Sequence, residues 1–275
     1  MTDADLSKIY SFSKLDAFDK CKKLYFFNYL DSEISPRRKE FAKPRDYNTR
    51  GQAVHGAITL FYYLPENKRT FEKLKNCLRR AWYSEKDLRK DPPLGILGGF
   101  KDIYHERMVY KESLEILRRF YNLEKDPDLF YVPTKKLKES FADYEKMVQP
   151  ISKKYFISGK FDRIDKMKDE KLRVVDFKTG KSSSNFFQLE FYKYLAEANF
   201  ENKVGEVSFY YLSKKKIIKN YDAGKIRNRD IKEKIIGKIK AINETKDFAP
   251  RPKKYVCSYC DFSEICEAFK LKFNR

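Results

Sequence analysis

The sequence predicts an α/β core carrying extra helices, and three observations predict it. Apolar residues recur at helical spacing through most of the chain before Pro133. After Pro133 the texture changes to short runs of β-forming residues separated by polar turns. No internal repeat or low-complexity tract marks the chain as a solenoid or as disordered.

In chain order, residues 13–29 read as a helix that Ser11 or Ser13 can cap. A basic, proline-marked stretch at 35–45 reads as an exposed loop, and a second helix is expected over about 49–63. Residues 66–130 look helical and amphipathic, broken by the turn-rich DPPLGILGG at 91–99. Residues 138–144, 154–164 and 172–178 read as three strands, the last two joined by the polar turn KMKDEK. A helix at 185–199, a strand at 204–212, a basic turn and an apolar stretch at 217–221 follow. A helix at about 226–244 and a cysteine-rich tail complete the order. The expectation is a single domain over 1–275, with a helical insertion at about 66–130 and a tail at 246–275 closing on Cys21.

The chain of 275 residues holds 60 Lys+Arg against 40 Asp+Glu, a formal net charge of +20. Such an excess favours a polyanionic partner, because neutralising phosphates releases condensed counterions. A lysine-rich surface bias is the plainer alternative. No apolar run is long enough for a membrane span, and the N-terminus has no secretory pattern, so the expected setting is intracellular. Five cysteines in a reducing compartment are better metal ligands than disulfide partners.

The segment SGKFDRIDKMKDEKLRVVDFKTGK, residues 158–181, is the most informative. Asp176 and Lys178 are two apart on a strand, so their side chains leave the same face. A hairpin brings Asp162 beside Asp176, so that two carboxylates and a lysine converge. Hard divalent cations take oxygen ligands, and such a cation lowers the pKa of bound water and offsets charge on a phosphate. An exposed charge ladder is the ordinary reading. Against it, Asp176 lies in the apolar run 172–177, where an unpaired charge is costly.

Asp162, thirteen residues, then Asp176-Phe177-Lys178-Thr179-Gly180 resembles the PD-(D/E)XK nuclease motif in its RecB-like form. That group includes the nuclease domains of RecB and AddB and the CRISPR spacer-acquisition nucleases. The resemblance implies a restriction-endonuclease-like α-β-β-β-α-β core and covers the chain except about 66–130. It implies that His55, in Gly51-x-x-x-His55, is a metal ligand on the helix before the sheet, with Asp162, Asp176 and the carbonyl of Phe177. Glu139 resembles an acidic position that assists the metal, though Asp143 lies on the same strand face. Gln188 and Tyr192 match a Q-x-x-x-Y motif, one helical face expected to contact the DNA backbone or support Lys178. His105 matches nothing and reads as structural, as does Cys77 within an amphipathic helix. Thr179-Gly180-Lys181-Ser182 looks like the end of a P-loop, but the required first glycine falls at Val175, so no ATPase is expected.

Cys257-x-x-Cys260-x5-Cys266 near the C-terminus, with Cys21 near the other end, suits four thiolates on a soft metal centre. One distant cysteine plus a compact trio is similar to the iron–sulfur members of the same nuclease group and implies a 4Fe–4S cluster that staples the two ends. A zinc site is the alternative. Related sequences often place proline after the first cysteine, whereas Lys22 follows Cys21 here.

Together these features give the expectation of a magnesium- or manganese-dependent deoxyribonuclease. By resemblance it acts on single-stranded DNA or ends, in repair or recombination or in CRISPR spacer acquisition. Its motor would be a separate helicase, and CRISPR integration proteins are the other candidate partners. Two further classes compete: a non-catalytic DNA-binding or scaffolding subunit, and a zinc-stabilised RNA-binding protein. Retention of every ligand and the lysine argues against the first. The second leaves the Asp162–Asp176–Lys178 arrangement unexplained.

Overall fold

Alternation of residue type along one strand, Leu172–Lys178, sets how the surrounding helices are shared between the two faces of the main sheet. A computed structural model describes residues 6–83, 93–123, 130–131, 146–180, 185–213 and 218–273. The first elements are β1 (Ile9–Ser11), α1 (Phe12–Lys20), α2 (Lys22–Tyr29), α3 (Asp46–Tyr62), α4 (Phe71–Trp82) and α5 (Ile103–Leu123). Strands β2 (Phe130–Tyr131), β3 (Lys146–Pro150), β4 (Phe156–Lys160), β5 (Arg163–Lys166) and β6 (Leu172–Lys178) follow. Then come α6 (Phe186–Asn199), β7 (Val204–Tyr211), β8 (Ile218–Asp222), α7 (Asn228–Glu244), α8 (Lys254–Cys257) and α9 (Glu267–Phe273).

The chain divides into two compact units. The first gathers Met1–Lys43, Val148–Gly159 and Asn228–Arg275. Its sheet runs β1-β4-β3, with β1 parallel to β4. Ser11 caps α1 by accepting from the Lys14 N–H at 3.2 Å. The helix expected over 13–29 is broken at Cys21, whose backbone is extended (φ −164°, ψ 121°). That break ends α1 and starts α2 one residue later. On α7, Ile231, Ile235, Ile239 and Ile242 are buried, the spacing of one apolar stripe, while most of the other positions are charged or polar.

The second unit holds Pro44–Met147 and Lys160–Arg227, with a sheet of order β2-β5-β6-β7-β8 among the described residues. Strands β5 and β6 form an antiparallel hairpin, and β6 and β7 run parallel with α6 as the crossover between them. Val175 and Phe177 join the apolar cluster of α3, α4 and α5 on one face. Asp176 and Lys178 alternate with them, and α6 covers that opposite side through Gln188.

Two expectations change here. The strand expected over 154–164 is two strands, β4 and β5, belonging to different sheets. They part at Phe161 and Asp162, where the Asp162 carboxylate, in place of a ladder carbonyl, accepts the Phe177 N–H at 2.8 Å. The strand expected at 138–144, with Glu139 and Asp143, lies outside the described residues. The stretch at 66–130 is less an appendage than part of the core, since α4 and α5 bury Leu74, Leu78, Trp82, Leu117 and Phe120 in the same cluster as Val175 and Phe177.

The turn between α4 and α5 is fixed by a buried carboxylate. Glu106 accepts from Trp82 Nε1 (3.1 Å), Leu94 N (3.0 Å) and Gly95 N (2.9 Å), which offsets the cost of burying its charge. Gly99 sits at φ +81°, and a Cβ there would stand 2.5 Å from the Arg45 backbone, so only glycine fits. His105 and Cys77 match their structural readings. His105 Nδ1 accepts the Lys101 N–H at 3.2 Å, and Cys77 is buried in the cluster. No helix among the described residues is long and apolar enough to cross a membrane.

Candidate nuclease site and cysteine site

The second unit brings His55, Asp162, Asp176, Lys178 and Gln188 into one polar chain. Arg163 pairs with Val175 across the hairpin, so Asp162 falls opposite Asp176. From α3, His55 Nδ1 meets Asp162 Oδ1 at 2.9 Å. Gly51 lets that helix approach the end of β6: a Cβ on it would stand 3.2 Å from Thr179 Oγ1. From α6, Gln188 bridges the two β6 residues. Its Oε1 accepts from Lys178 Nζ at 2.8 Å, and its Nε2 donates to Asp176 Oδ1 at 2.8 Å. Lys178 Nζ also stands 2.6 Å from Asp176 Oδ2, a charge contact, yet that oxygen is buried without an aligned hydrogen bond.

Burial and mutual repulsion show in the acidities. Burial first, and then the charge of Asp162, push the Asp176 carboxyl up to about 7, although Lys178 and His55 oppose them. Burial acts against ionised Asp162 too, but the His55 imidazole and the Phe177 N–H outweigh it and hold its carboxyl below the ordinary value. For His55 burial disfavours the cation, and the Asp162 carboxylate reverses this and raises its pKa. The site is open on this side: the His55 and Asp162 side chains keep 32% and 20% of their surface exposed.

The donor set suits a divalent cation. Two carboxylates that repel one another, one of them buried and pushed up to about 7, form an acceptor-rich corner that a cation would relieve. Among the described residues no three His, Cys, Asp or Glu side chains, the cysteines included, gather closely enough to hold a metal ion. Asp162 is engaged by His55 and the Phe177 N–H.

Tyr192 lies one turn beyond Gln188 and packs edge-on against Phe161 at 5.6 Å between ring centroids. It braces the segment carrying Asp162. Sequence reasoning missed Arg50, whose Nη2 donates to Thr179 O at 3.4 Å and whose Nη1 pairs with Glu112 at 3.0 Å. It also missed the buried ion pairs of Arg163 and Arg173 with Asp165. Charged residues alternating inside apolar strands were the available signal for the latter.

In the first unit the four cysteines Cys21, Cys257, Cys260 and Cys266 line one cavity. None is in a disulfide. The tail is brought to Cys21 by the Arg251 N–H, 3.3 Å from Cys21 Sγ. Lys43 fastens the loop after Cys260 through Asp261 and Ser263, and Phe262 packs on Phe27 and Phe41. Burial, with the neighbouring thiols, pushes the Cys260 thiol up to about 11, and the Cys257 thiol is raised likewise.

Comparison with known proteins adds the following. Residues 9–267 match the family model of the PD-(D/E)XK nuclease superfamily. The Gene 69 protein of Mycobacterium phage L5 is 31% identical over 104 residues, 36% of this chain and 36% of that protein. The chain thus spans about a third of that relative's length. A solved structure, the crystal structure of SSO0001, aligns over 78% of this chain and 94% of that one, with 19% identity and a TM-score of 0.36.

Proposed function

The chain belongs to the PD-(D/E)XK nuclease superfamily, and on that premise we propose that it is a metal-dependent deoxyribonuclease that hydrolyses phosphodiester bonds at the Asp162–Asp176–Lys178 corner. The observation that carries this reading is two bonded groups meeting at the end of β6: His55 with Asp162, which accepts the Phe177 N–H, and Gln188 bridging Asp176 and Lys178. Asp162, Asp176, His55 and the Phe177 carbonyl would hold magnesium or manganese. The ion supplies Lewis acidity toward the scissile phosphate and makes hydroxide available near neutral pH. Lys178, aimed by Gln188, positions the attacking water or steadies charge growing on the phosphate. Tyr192 supports the Asp162 turn. Glu139, outside the described residues, keeps its proposed assisting role from the sequence resemblance alone.

Single-stranded DNA ends as substrate, an exonucleolytic mode, and a setting in repair, recombination or CRISPR spacer acquisition rest on the RecB-like resemblance. So does partnership with a separate helicase or with CRISPR integration proteins. The net charge of +20 supports a nucleic-acid substrate in general.

For the cysteine site the proposal is a 4Fe–4S cluster on Cys21, Cys257, Cys260 and Cys266. A zinc ion would draw all four sulfurs to about 2.3 Å from one point. The choice of a cluster over zinc rests on the one-plus-three cysteine pattern of the resemblance, and the four cysteines line one cavity with Leu24, Phe27, Pro250 and Val256. Bound there, a cluster would tie Cys21 to a tail more than two hundred residues away in sequence. Anaerobically purified protein should be brown, with a broad absorption near ~400 nm. Colourless protein containing zinc would overturn the assignment.

The deciding experiment is a cleavage assay on that protein with labelled single and double strands, in magnesium, manganese or chelator. Lys178→Ala should cut about 10²–10³-fold more slowly with DNA binding retained, and Asp176→Ala should fall at least as far. A wild type that keeps its cluster and binds DNA but never cuts would make the chain a non-catalytic DNA-binding or scaffolding subunit instead.

A further inference from the structure

Helix α5 is polar along most of its outer side, but its first two turns and the turn before them are not. Ile96 is 80% exposed, Leu97 70% and Tyr104 75%, with Ile103 and Met108 beside them in sequence. Tyr104 and Met108 are spaced i,i+4, so they share a face. That face becomes charged one turn later, at Lys111 and Glu115. The inward stripe, Val109, Ile116, Leu117 and Phe120, is already buried, so the exposed apolar residues are not needed by the core. A solvent-facing apolar cluster confined to one end of a helix marks a binding surface.

Its position ties it to the nuclease corner of the same unit. Gly98 O, next to Leu97, accepts from Thr49 Oγ1 at 2.8 Å. Arg50, the next residue, donates to Thr179 O, directly after Lys178. At the helix start His105 Nε2 stands 3.6 Å from Asp46 Oδ2, and Asp46 is four residues, about 6 Å of helix rise, from Arg50. The segments carrying the apolar rim are therefore fastened, through Asp46, Thr49 and Arg50 of α3, to the strand end that carries the lysine.

Its charges suit a polyanion. Lys101, Arg107 and Lys111 are exposed around the rim. Of the acids nearby, Glu112 pairs with Arg50 and Glu115 stands 3.8 Å from Arg118, while Asp102 accepts the His105 N–H at 2.7 Å and keeps its charge. Rings and aliphatic side chains interleaved with cations offer unpaired bases a stacking platform and their phosphates counter-charge. A duplex hides its bases from such a surface.

We propose that the exposed rim formed by Ile96, Leu97, Ile103, Tyr104 and Met108 is the surface on which unpaired bases of the DNA substrate stack as the strand enters the site, Tyr104 being the principal contact. The proposal rests on the nuclease reading above and gives the helical segment between α3 and the sheet a part in choosing single strands over duplex.

The test is fluorescence anisotropy of a labelled single strand of about 16 nucleotides and its duplex. Chelator is present so that binding is read without cutting. Tyr104→Ala and Leu97→Ser should bind the single strand about five-fold or more weakly, while duplex affinity moves less than about two-fold. Tyr104→Phe should bind as wild type, because the ring is what stacks. The salt slope should be unchanged in Tyr104→Ala, whereas Arg107→Ala should reduce it by about one. Unaltered melting temperatures would show that the fold is intact. Wild-type affinity in Tyr104→Ala, or equal weakening for both DNA forms, would overturn the proposal. A wild-type dimer that Tyr104→Ala dissociates would also overturn it, assigning the rim to a second copy. Parallel cleavage assays separate the two readings. If the wild type cuts and Tyr104→Ala binds normally, this surface is wrong and the nuclease stands; a wild type that never cuts sinks the nuclease reading first.

Discussion

Two buried charge clusters lie on opposite faces of the same β5–β6 hairpin. On the helical face, Asp165 gives both carboxylate oxygens to arginines, Arg163 Nε and Arg173 Nε, and Arg173 reaches on to Glu206 at 3.1 Å. Two cations answer two anions, and the group left without an aligned bond is a donor, Arg173 Nη2. Around Asp162 and Asp176 two carboxylates face one lysine and an imidazole, and Asp176 Oδ2 meets Lys178 Nζ at 2.6 Å without an aligned hydrogen bond. Both clusters cost desolvation. The first is paired off by two permanent guanidinium charges, whereas in the second burial and the neighbouring Asp162 push one carboxyl up to about 7 despite its basic neighbours, an arrangement that an added cation would relieve.

Breaking the paired cluster should have the largest effect. Asp165→Ala strands two buried guanidinium groups and should lower stability by about 3–5 kcal/mol. Urea unfolding measures this directly, and a change under about 1 kcal/mol would mean that the ion pairs are not the hairpin's structural clamp. Next comes the bridge on the other face. Gln188→Ala should slow cleavage about 10–100-fold with little change in melting temperature, because it orients Lys178 and Asp176 without bearing the core. Equal loss of stability and activity would make Gln188 a structural residue.

The smallest effect tests the cost of keeping Asp176 ionised. The Asp176 carboxyl is raised in the fold, so the native state holds that proton more tightly than the unfolded chain does. Its contribution to stability is present below about pH 4 and lost as pH rises through about 7. Metal-free Asp176→Asn should therefore be more stable than wild type at pH 8, on the order of 2 kcal/mol, and lose that advantage toward pH 4. Excess magnesium should narrow the gap by stabilising only the wild type. Thermal melts in chelator across this range supply the answer; identical curves would mean that Asp176 is satisfied as it stands.

Much of the site was legible because its spacing is local. Asp176 and Lys178 share a face by strand periodicity alone, and Gly51-x-x-x-His55 and Gln188-x-x-x-Tyr192 lie on helices that form where their apolar patterns fall. What Gln188 touches was not legible, since a four-residue spacing says nothing about which strand a helix covers. The break at Asp162 was equally hidden. Residues 154–164 read as continuous β-formers, and only the carboxylate's bond to the Phe177 N–H, fifteen residues away, ends the ladder there. Cys21 likewise interrupts a helix that local propensity would continue.

By itself the sequence determined the element types, the alternation that separates Val175 and Phe177 from Asp176 and Lys178, the basic balance and the family motif. These depend on neighbours within a few residues, where backbone geometry is periodic. Tertiary structure decided that α4 and α5 pack on the β6 residues Val175 and Phe177, and that an apolar rim is exposed at the start of α5. It also decided that four cysteines line one cavity, and that the Asp176 carboxyl is pushed up by burial while Asp165 is paired with two arginines. Those outcomes depend on burial and on partners far along the chain, where the cost of a charge is set by what packs against it.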